Sequence, residues 1–327
     1  MIALENASAL PNTVELETRE CPLGCPPDDE LVLIGRDRIH MLPGEFRVVR
    51  CRTCGLMRTN PRPTLETMGY YYPDNYGPFV GAEINAADNG PVPAWKRALR
   101  ALLELNTERL PPVPPGRMLE VGCASGAFLH RMARRGWAVE GIEPSERAAQ
   151  AARALGYRVQ IGSLEQATAP AEPLDLVVGW MVLEHLHEPV AALRKLAGWV
   201  RPGGWLAISV PNAAALDFRL FRDAWYSLDV PRHTYHFTPQ TLRRLLDAGG
   251  WRMERLLHQR VAIDLVCSLG YVFGDRGVAP GLARRLLDFP NQKYGMYYTF
   301  PLAFVLALVG QTGRMTVWAR KMDVRSL

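Results

Sequence analysis

Residues 117 to 129 carry an apolar run that ends near an acid, Glu120, then a turn bracketed by Gly122 and Gly126, then the start of a helical pattern. Such a turn aims backbone N–H groups and the positive end of the next helix at an anion, while its glycines let ligand and backbone approach closely. A dinucleotide fingerprint would place glycine at 124, where this chain has Ala124, so a pyrophosphate fits the turn poorly. Glu143 closes the next apolar run, at the place from which a carboxylate can accept both hydroxyls of a ribose. Two pairs of thiols, Cys21-x3-Cys25 and Cys51-x2-Cys54-Gly55, have the spacing of a structural tetrahedral zinc site, with Gly55 allowing the turn that points N–H groups at sulfur. Two disulfides are the alternative for these four, and Cys123 and Cys267 read as unpaired buried thiols. His185, His187, His233 and His236 offer side chains whose ordinary pKa suits removal of a hydroxyl proton.

Those residues need a frame, and the apolar runs supply one. Trp137 to Ile142, Asp175 to Trp180 and Trp205 to Val210 read as buried strands, the last introduced by the turn Arg201-Pro202-Gly203-Gly204. Val190, Leu193, Leu196, Ala197 and Val200 fall at helical spacing, and the alternation of strand and helix predicts a parallel sheet covered on both faces. Thr238 caps a helix through Ala248 that Gly249-Gly250 stops. Upstream, an amphipathic helix over Ala94 to Leu110 is ended by the prolines between 111 and 115.

Leu119 to Leu129, Gly141 to Pro144, Leu174 to Pro189 and Val200 to Asn212 together resemble the core of the class I S-adenosylmethionine (SAM) methyltransferases, over residues 110 to 260. Within that class, Leu183-Glu184-His185-Leu186, Glu188-Pro189 and the run His233 to Pro239 resemble bacterial small-molecule methyltransferases related to the ubiquinone-type O-methyltransferases. The cysteine pairs, with Leu56 to Pro63 and Tyr70 to Pro73, resemble a bacterial group of that family with an N-terminal zinc ribbon, whose members mostly serve saccharide or natural-product pathways. The resemblance implies an α/β, Rossmann-like, seven-stranded core with an N-terminal zinc ribbon and helical additions. It implies a SAM site built from Glu120, Gly122, Cys123, Ala124, Gly126, Glu143, Pro144, Ser163, Leu164 and Trp180, with the Trp180 π face toward the sulfonium. It implies that Trp251 to His258 and Thr316 to Ala319 are the closing edge strands. Two departures stand out. The run Glu-x-x-Glu-His that helps hold a divalent metal in such relatives begins here with Met181, which offers a hard cation no oxygen. The acid often found on the adenine side is replaced by Ser163.

Composition fits a soluble enzyme: 327 residues, 48% hydrophobic and 22% charged, suffice for a full α/β core and a small appendage. The chain divides into a flexible lead (1–20), the ribbon with Cys21, Cys25, Cys51 and Cys54 (21–60), a connector and amphipathic helix (61–110), and the SAM-binding domain (111–327). Within the last lie a lid over 212–236 and an apolar insertion over 261–312, expected to cover part of the acceptor pocket. His185 and His233 are the candidate catalytic bases; His236 reads as packing and His187 as exposed. The acceptor is expected to be a small molecule methylated at a hydroxyl. The net charge of +5 is scattered in short clusters rather than gathered in the block that nucleic acid would need, so RNA is an alternative and not the favoured partner. A lipid or prenyl acceptor at a membrane surface, met through the apolar insertion, is the other alternative. The apolar run Pro301 to Gly310 is about half the length of a membrane span. No charged-then-apolar leader opens the chain, which gives a cytoplasmic expectation; oligomeric state has no sequence signal.

Overall fold

The computed structural model describes residues 10–73, 103, 108–292 and 294–322. Most of the predicted helix over Ala94 to Leu110 lies outside the described residues. The chain first builds β1 (Leu16–Glu17), β2 (Asp29–Arg36), β3 (Glu45–Cys51), β4 (Met57–Thr59) and β5 (Arg62–Pro63). The lead is not loose throughout: Leu16 pairs with Pro63 and Glu17 with Arg62, and Val14 is buried. These contacts arise because Arg62, itself buried, needs the Glu17 carboxylate, 2.9 Å from its Nε.

The core follows as β6 (Arg117–Val121), β7 (Ala138–Glu143), β8 (Arg158–Ile161), β9 (Leu174–Trp180) and β10 (Val200–Pro211). Between them run α1 (Ala127–Ala133), α2 (Glu146–Ala154) and α3 (Pro189–Trp199). β6 and β9 sit at the middle of the sheet with almost every side chain buried, which is why they read as continuous apolar runs rather than alternating ones. α3 turns Val190, Ala192, Leu193 and Leu196 onto the sheet, as its spacing requires.

Beyond β10 come α4 (Leu216–Phe221), β11 (Tyr235–His236), α5 (Pro239–Ala248), β12 (Trp251–His258), α6 (Ile263–Asp275), α7 (Pro280–Leu287), α8 (Gly295–Leu308) and β13 (Arg314–Lys321). Thr238 and Thr241 close a reciprocal capping box at the start of α5. The seven-stranded sheet has the order β12-β13-β10-β9-β6-β7-β8, with β13 antiparallel to both neighbours and the rest parallel. It is the α/β, Rossmann-like methyltransferase core that the resemblance implied.

Two features were not anticipated. β11, from the segment expected to be a lid, pairs with β4, so that β11-β4-β3-β2 form one four-stranded sheet and ribbon and lid are a single unit. A buried arginine fastens it: Arg232 holds Asp37 at 2.6 Å, on the β2–β3 loop, and Asp229 at 2.6 Å in its own segment. The insertion, for its part, contributes none of its described residues to the lining of the central cavity. It backs the lid instead, with Ser268 Oγ accepting from the Tyr226 amide, the Ser227 hydroxyl donating to Asp264, and Tyr271 stacked on Tyr226. No helix among the described residues is long and apolar enough to cross a membrane.

Asp217 on α4 and Asp264 on α6 meet in this backing layer, both buried against Gly313. Burial and then the Asp264 charge push the Asp217 carboxyl up to about 7. The folded protein therefore binds that proton more tightly than the unfolded chain, whose aspartate titrates near 3.9. The resulting stabilisation is complete below about pH 4 and lost as pH rises to about 7. Asp217→Asn should change melting temperature little at pH 4 and raise it increasingly up to pH 8, by about 1 to 3 kcal/mol of stability. A constant difference between the two proteins across that pH range would be incompatible with a buried, protonated Asp217.

Candidate active site

At the carboxyl ends of β6, β7, β8 and β9 the sheet opens into a cavity of about 800 Å³. Val121, Gly122 and Ala124 line it from the glycine turn, Glu143, Pro144 and Ser145 from the end of β7, and Ser163 and Leu164 from beyond β8. Trp180, Met181, Val182 and His185 follow from the end of β9. This is where a parallel α/β sheet places its ligands. Opposite elements close the space: Ile39, Leu65, Met68 and Tyr72 from the N-terminal unit, Tyr226, Ser227, Asp229 and His233 from the lid, and Arg314 from the start of β13.

Of the ten residues assigned to the cofactor, seven line this cavity and three do not. Glu120 points into the interior, 3% exposed, and burial lifts its carboxyl well above the usual range. Cys123 turns its sulfur toward Gly141, where an added Cβ would lie 2.6 Å from it. Gly126, at φ 81°, is the left-handed cap of α1, and a Cβ there would meet Ala152 at 2.8 Å. Gly122, although it lines the cavity, is likewise crowded by protein, with Val182 2.7 Å from a hypothetical Cβ. Both glycines thus serve the turn and its packing.

The turn's amides are also differently used than expected. Those of Gly122 and Cys123 donate to the Ile142 carbonyl, that of Gly126 to the Cys123 carbonyl, and that of Ala124 to Glu143 Oε2 at 2.8 Å. The Ser145 amide donates to the other oxygen, Glu143 Oε1, at 2.9 Å. Glu143 is thereby locked in place, each oxygen keeping further acceptor capacity for a ligand hydroxyl. Burial raises its pKa, and the two amides pull it back.

Two buried polar atoms in the same cavity have no partner among the described residues: the Ser163 hydroxyl and the Trp180 indole N–H. Groups of that kind cost stability unless something pairs with them. They suit a nucleoside ligand whose ribose sits on Glu143 and whose base lies by Ser163 and Leu164. Trp180 is propped edge-on by Phe128, ring centres 5.4 Å apart.

His185 and His233 lie edge to face with ring centres 4.6 Å apart. His185 Nδ1 is 3.2 Å from the Arg232 carbonyl and 2.9 Å from Tyr72 Oη; a carbonyl can only accept, so Nδ1 carries the proton and Nε2 the lone pair. The same reasoning applies to His233, whose Nδ1 donates to the Ser227 carbonyl at 2.9 Å while Nε2 lies 3.7 Å from Asp229. Burial, and then a second imidazole (His233 for His185, His236 for His233), hold each ring's pKa down to about 3, so both are neutral at physiological pH. His187 corrects the expectation of an exposed side chain: it is buried because β5 covers it, and Nε2 donates to the Pro63 carbonyl at 3.1 Å. His236 is buried, with Nε2 near the Thr59 hydroxyl.

Glu184 is fully buried and neither carboxylate oxygen has a partner among the described residues; its donor atoms and those of His185 and His233 lie within 4.8 Å of one another. Met181, at φ 58°, lines the cavity where the resembling families place the first acid. The set is two imidazoles and one carboxylate, which does not fit magnesium's demand for oxygen ligands.

The second cluster lies in the N-terminal unit. The sulfurs of Cys21, Cys25, Cys51 and Cys54 are all within 4.8 Å of one another, and none is in a disulfide. Cys21 and Cys54 sulfurs are 3.5 Å apart, close to the roughly 3.8 Å expected between thiolates around a tetrahedral zinc. Gly55, at φ 80°, returns its amide to the Cys51 carbonyl at 2.8 Å. Burial alone would raise the Cys51 thiol, but the Cys54 and Thr53 amides facing its sulfur bring it below the usual value.

Tyr72, Tyr226 and Arg314 are among the lining residues that sequence reasoning did not single out. Tyr72 sat in an aromatic run with no assigned role, and Arg314 precedes a strand whose expected start was two residues later.

The family described as "Methyltransferase domain" matches residues 95–256. The ubiquinone biosynthesis O-methyltransferase of Albidiferax ferrireducens is 32% identical over 154 residues, 42% of this chain and 61% of that protein. That of Thiobacillus denitrificans is 30% identical over 177 residues, 48% of this chain and 76% of that protein. The chain thus spans less than two thirds of the first relative's length. Among solved structures, a SAM-dependent methyltransferase from Mesorhizobium loti aligns with 69% of this chain and 96% of its own, at 19% identity and a TM-score of 0.43.

Proposed function

The chain belongs to the class I SAM-dependent methyltransferases related to the ubiquinone-type O-methyltransferases, and on that premise we propose that it methylates a hydroxyl of a small acceptor, a sugar, glycan precursor or natural product. The observation that carries this reading is that Glu143, Ser163 and Trp180 share one cavity with two neutral histidines. When bound, SAM supplies an electrophilic methyl on a sulfonium, which an acceptor oxygen takes in line as the S–C bond breaks. Glu143 holds the ribose, the Ser163 hydroxyl and the Leu164 backbone read the base, and Trp180 offers its π face to the sulfonium. His185 Nε2 takes the acceptor proton, with Tyr72 and the Arg232 carbonyl fixing the ring and His233 packed on its edge. Holding the two reactants in line supplies much of the rate. The four cysteines hold a structural zinc that folds the acceptor-side wall.

Calorimetric titration with SAM and, separately, NAD tests the reading: micromolar SAM affinity with no NAD signal is the expected result. Glu143→Ala should weaken SAM binding by about 1 to 3 kcal/mol, the scale of a charge-assisted hydrogen bond. Wild-type protein that ignores SAM would remove the enzyme assignment, and unchanged affinity in the variant would take Glu143 out of the site.

The lipid or prenyl alternative has one observation in its favour, the exposure of Tyr298, Val305 and Leu308 on α8. Cosedimentation with anionic liposomes, lost in Val305→Lys, is what that alternative requires.

A further inference from the structure

Arg314 is the only lysine or arginine among the described residues that line the cavity. It stands at the first position of β13, and its Nε donates to Asp264 Oδ2 at 2.9 Å. Asp264 is 1% exposed, and its other oxygen accepts from the Ser227 hydroxyl, so the carboxylate is fixed from both sides. Gly313 brings the turn close enough for this pairing, since a Cβ there would lie 2.8 Å from Asp264. A guanidinium anchored through Nε keeps its two terminal NH2 groups, a planar fork whose geometry matches a carboxylate or phosphate. Neither terminal group of Arg314 has a hydrogen-bond partner among the described residues, and the side chain is 21% exposed.

Of the other ionisable groups near this part of the cavity, Glu184 is unpartnered among the described residues, but burial pushes its carboxyl up to about 8, which keeps it protonated and neutral. Asp229 is held by Arg232, which also binds Asp37. His185 and His233 are neutral. Ile39, Leu65, Met68, Tyr72, Met181 and Tyr226 make the rest of the acceptor-side wall apolar or aromatic. A guanidinium paired through Nε with its fork unpaired offers an anion two parallel hydrogen bonds that a neutral analogue cannot match.

We propose that Arg314 is the specificity-determining residue of the acceptor site and that the acceptor carries an oxyanion, a carboxylate or a phosphate, beside the hydroxyl that is methylated. The proposal deepens the methyltransferase reading and rests on it for the identity of the cavity. Asp264 acts through Arg314 as a positioning residue, orienting the fork toward the cavity.

The test is calorimetry at low salt on the full chain, with and without saturating S-adenosylhomocysteine. Three probes are used: inorganic phosphate, benzoate and neutral benzyl alcohol. At least one anion should bind ten or more times more tightly than benzyl alcohol, and the tighter of the two identifies the oxyanion. Arg314→Gln should lose that preference while its affinity for S-adenosylhomocysteine stays within twofold; Arg314→Lys, which keeps charge but not the fork, should retain part of it. Equal binding of all three probes by the wild-type protein overturns the proposal without touching the cofactor reading, and needs no variant that folds. Anion binding that survives in Arg314→Gln overturns it as well. Failure of S-adenosylhomocysteine to bind, with an Arg314-dependent anion signal intact, would instead overturn the methyltransferase reading and leave the anion subsite standing.

Discussion

Cys51→Ser is expected to release the metal of the N-terminal unit and to unfold that unit. Cys51 is fully buried, at the end of β3, and its sulfur converges with three others in the same core cluster as Leu56, Phe237 and Leu242. Without an ion, four thiols in that space are poor at satisfying one another; with zinc, the bonding energy becomes folding energy, about 10 to 16 kcal/mol in isolated zinc-finger peptides at neutral pH. A serine oxygen in place of one thiolate forfeits a large part of that. The damage should then spread along identifiable contacts. Arg244 on α5 donates to the Cys54 carbonyl at 2.9 Å, and β4 pairs with β11. The wall made by Ile39, Leu65, Met68 and Tyr72 belongs to the same unit. Elemental analysis should find about one zinc per wild-type chain and markedly less in the variant. Thermal melting should show an early transition in the variant, with methyl transfer lost. SAM affinity should survive better, because Glu143, Ser163 and Trp180 stand on the central sheet. Metal-free wild-type protein, with a variant just as stable, would end the zinc proposal.

How far the sequence could be read follows from the range of each signal. The strands that carry Glu120, Glu143 and Trp180 near their ends were legible because a strand buried on both faces writes itself as a local apolar run, and the helix after Thr238 because its cap is local too. The pairing of β4 with β11 joins Met57 to His236, and no local pattern announces a partner so far along the chain. The merger of ribbon and lid was therefore invisible, as was the role of Tyr72, which depends on it. His187 went astray for the same reason, being covered by β5 from the other unit. At the glycine turn the sequence located the site but not the use of its parts. The amides taken to be free for a ligand fix Glu143 and the turn itself, and Gly126 is required by Ala152 rather than by a ligand. Arg314 was hidden because its meaning comes from Asp264, fifty positions earlier on α6, and from the cavity they share.

His185→Gln should lower kcat for methyl transfer by about 10² to 10⁴ while leaving SAM affinity within a few fold. Its ring is held by two contacts, the Arg232 carbonyl and Tyr72 Oη, which together fix the tautomer and leave Nε2 as a lone pair. Burial keeps that nitrogen deprotonated and open to a proton, while making it a weaker base than a free imidazole, since charging the ring there means desolvating a cation beside His233. Glutamine can restore a hydrogen bond to the carbonyl but has no basic nitrogen to receive a proton, so packing and proton transfer are separated by one substitution. His233→Gln should cost less, because its Nε2 faces Asp229 at 3.7 Å and its Nδ1 is spent on Ser227, a pattern that supports the ring beside it. The decisive comparison is single-turnover release of S-adenosylhomocysteine with SAM in excess of its dissociation constant, so that binding does not limit the rate. A slow His185→Gln beside a faster His233→Gln assigns the proton to His185, and the reverse order assigns it to His233. Unchanged rates in both would mean that the acceptor needs no base, as for an acceptor already ionised or for attack by carbon or nitrogen. Metal analysis of the same proteins closes the remaining route. A second ion per wild-type chain, lost in both histidine variants but retained in the cysteine variant, would make Glu184, His185 and His233 ligands and would withdraw the general-base assignment.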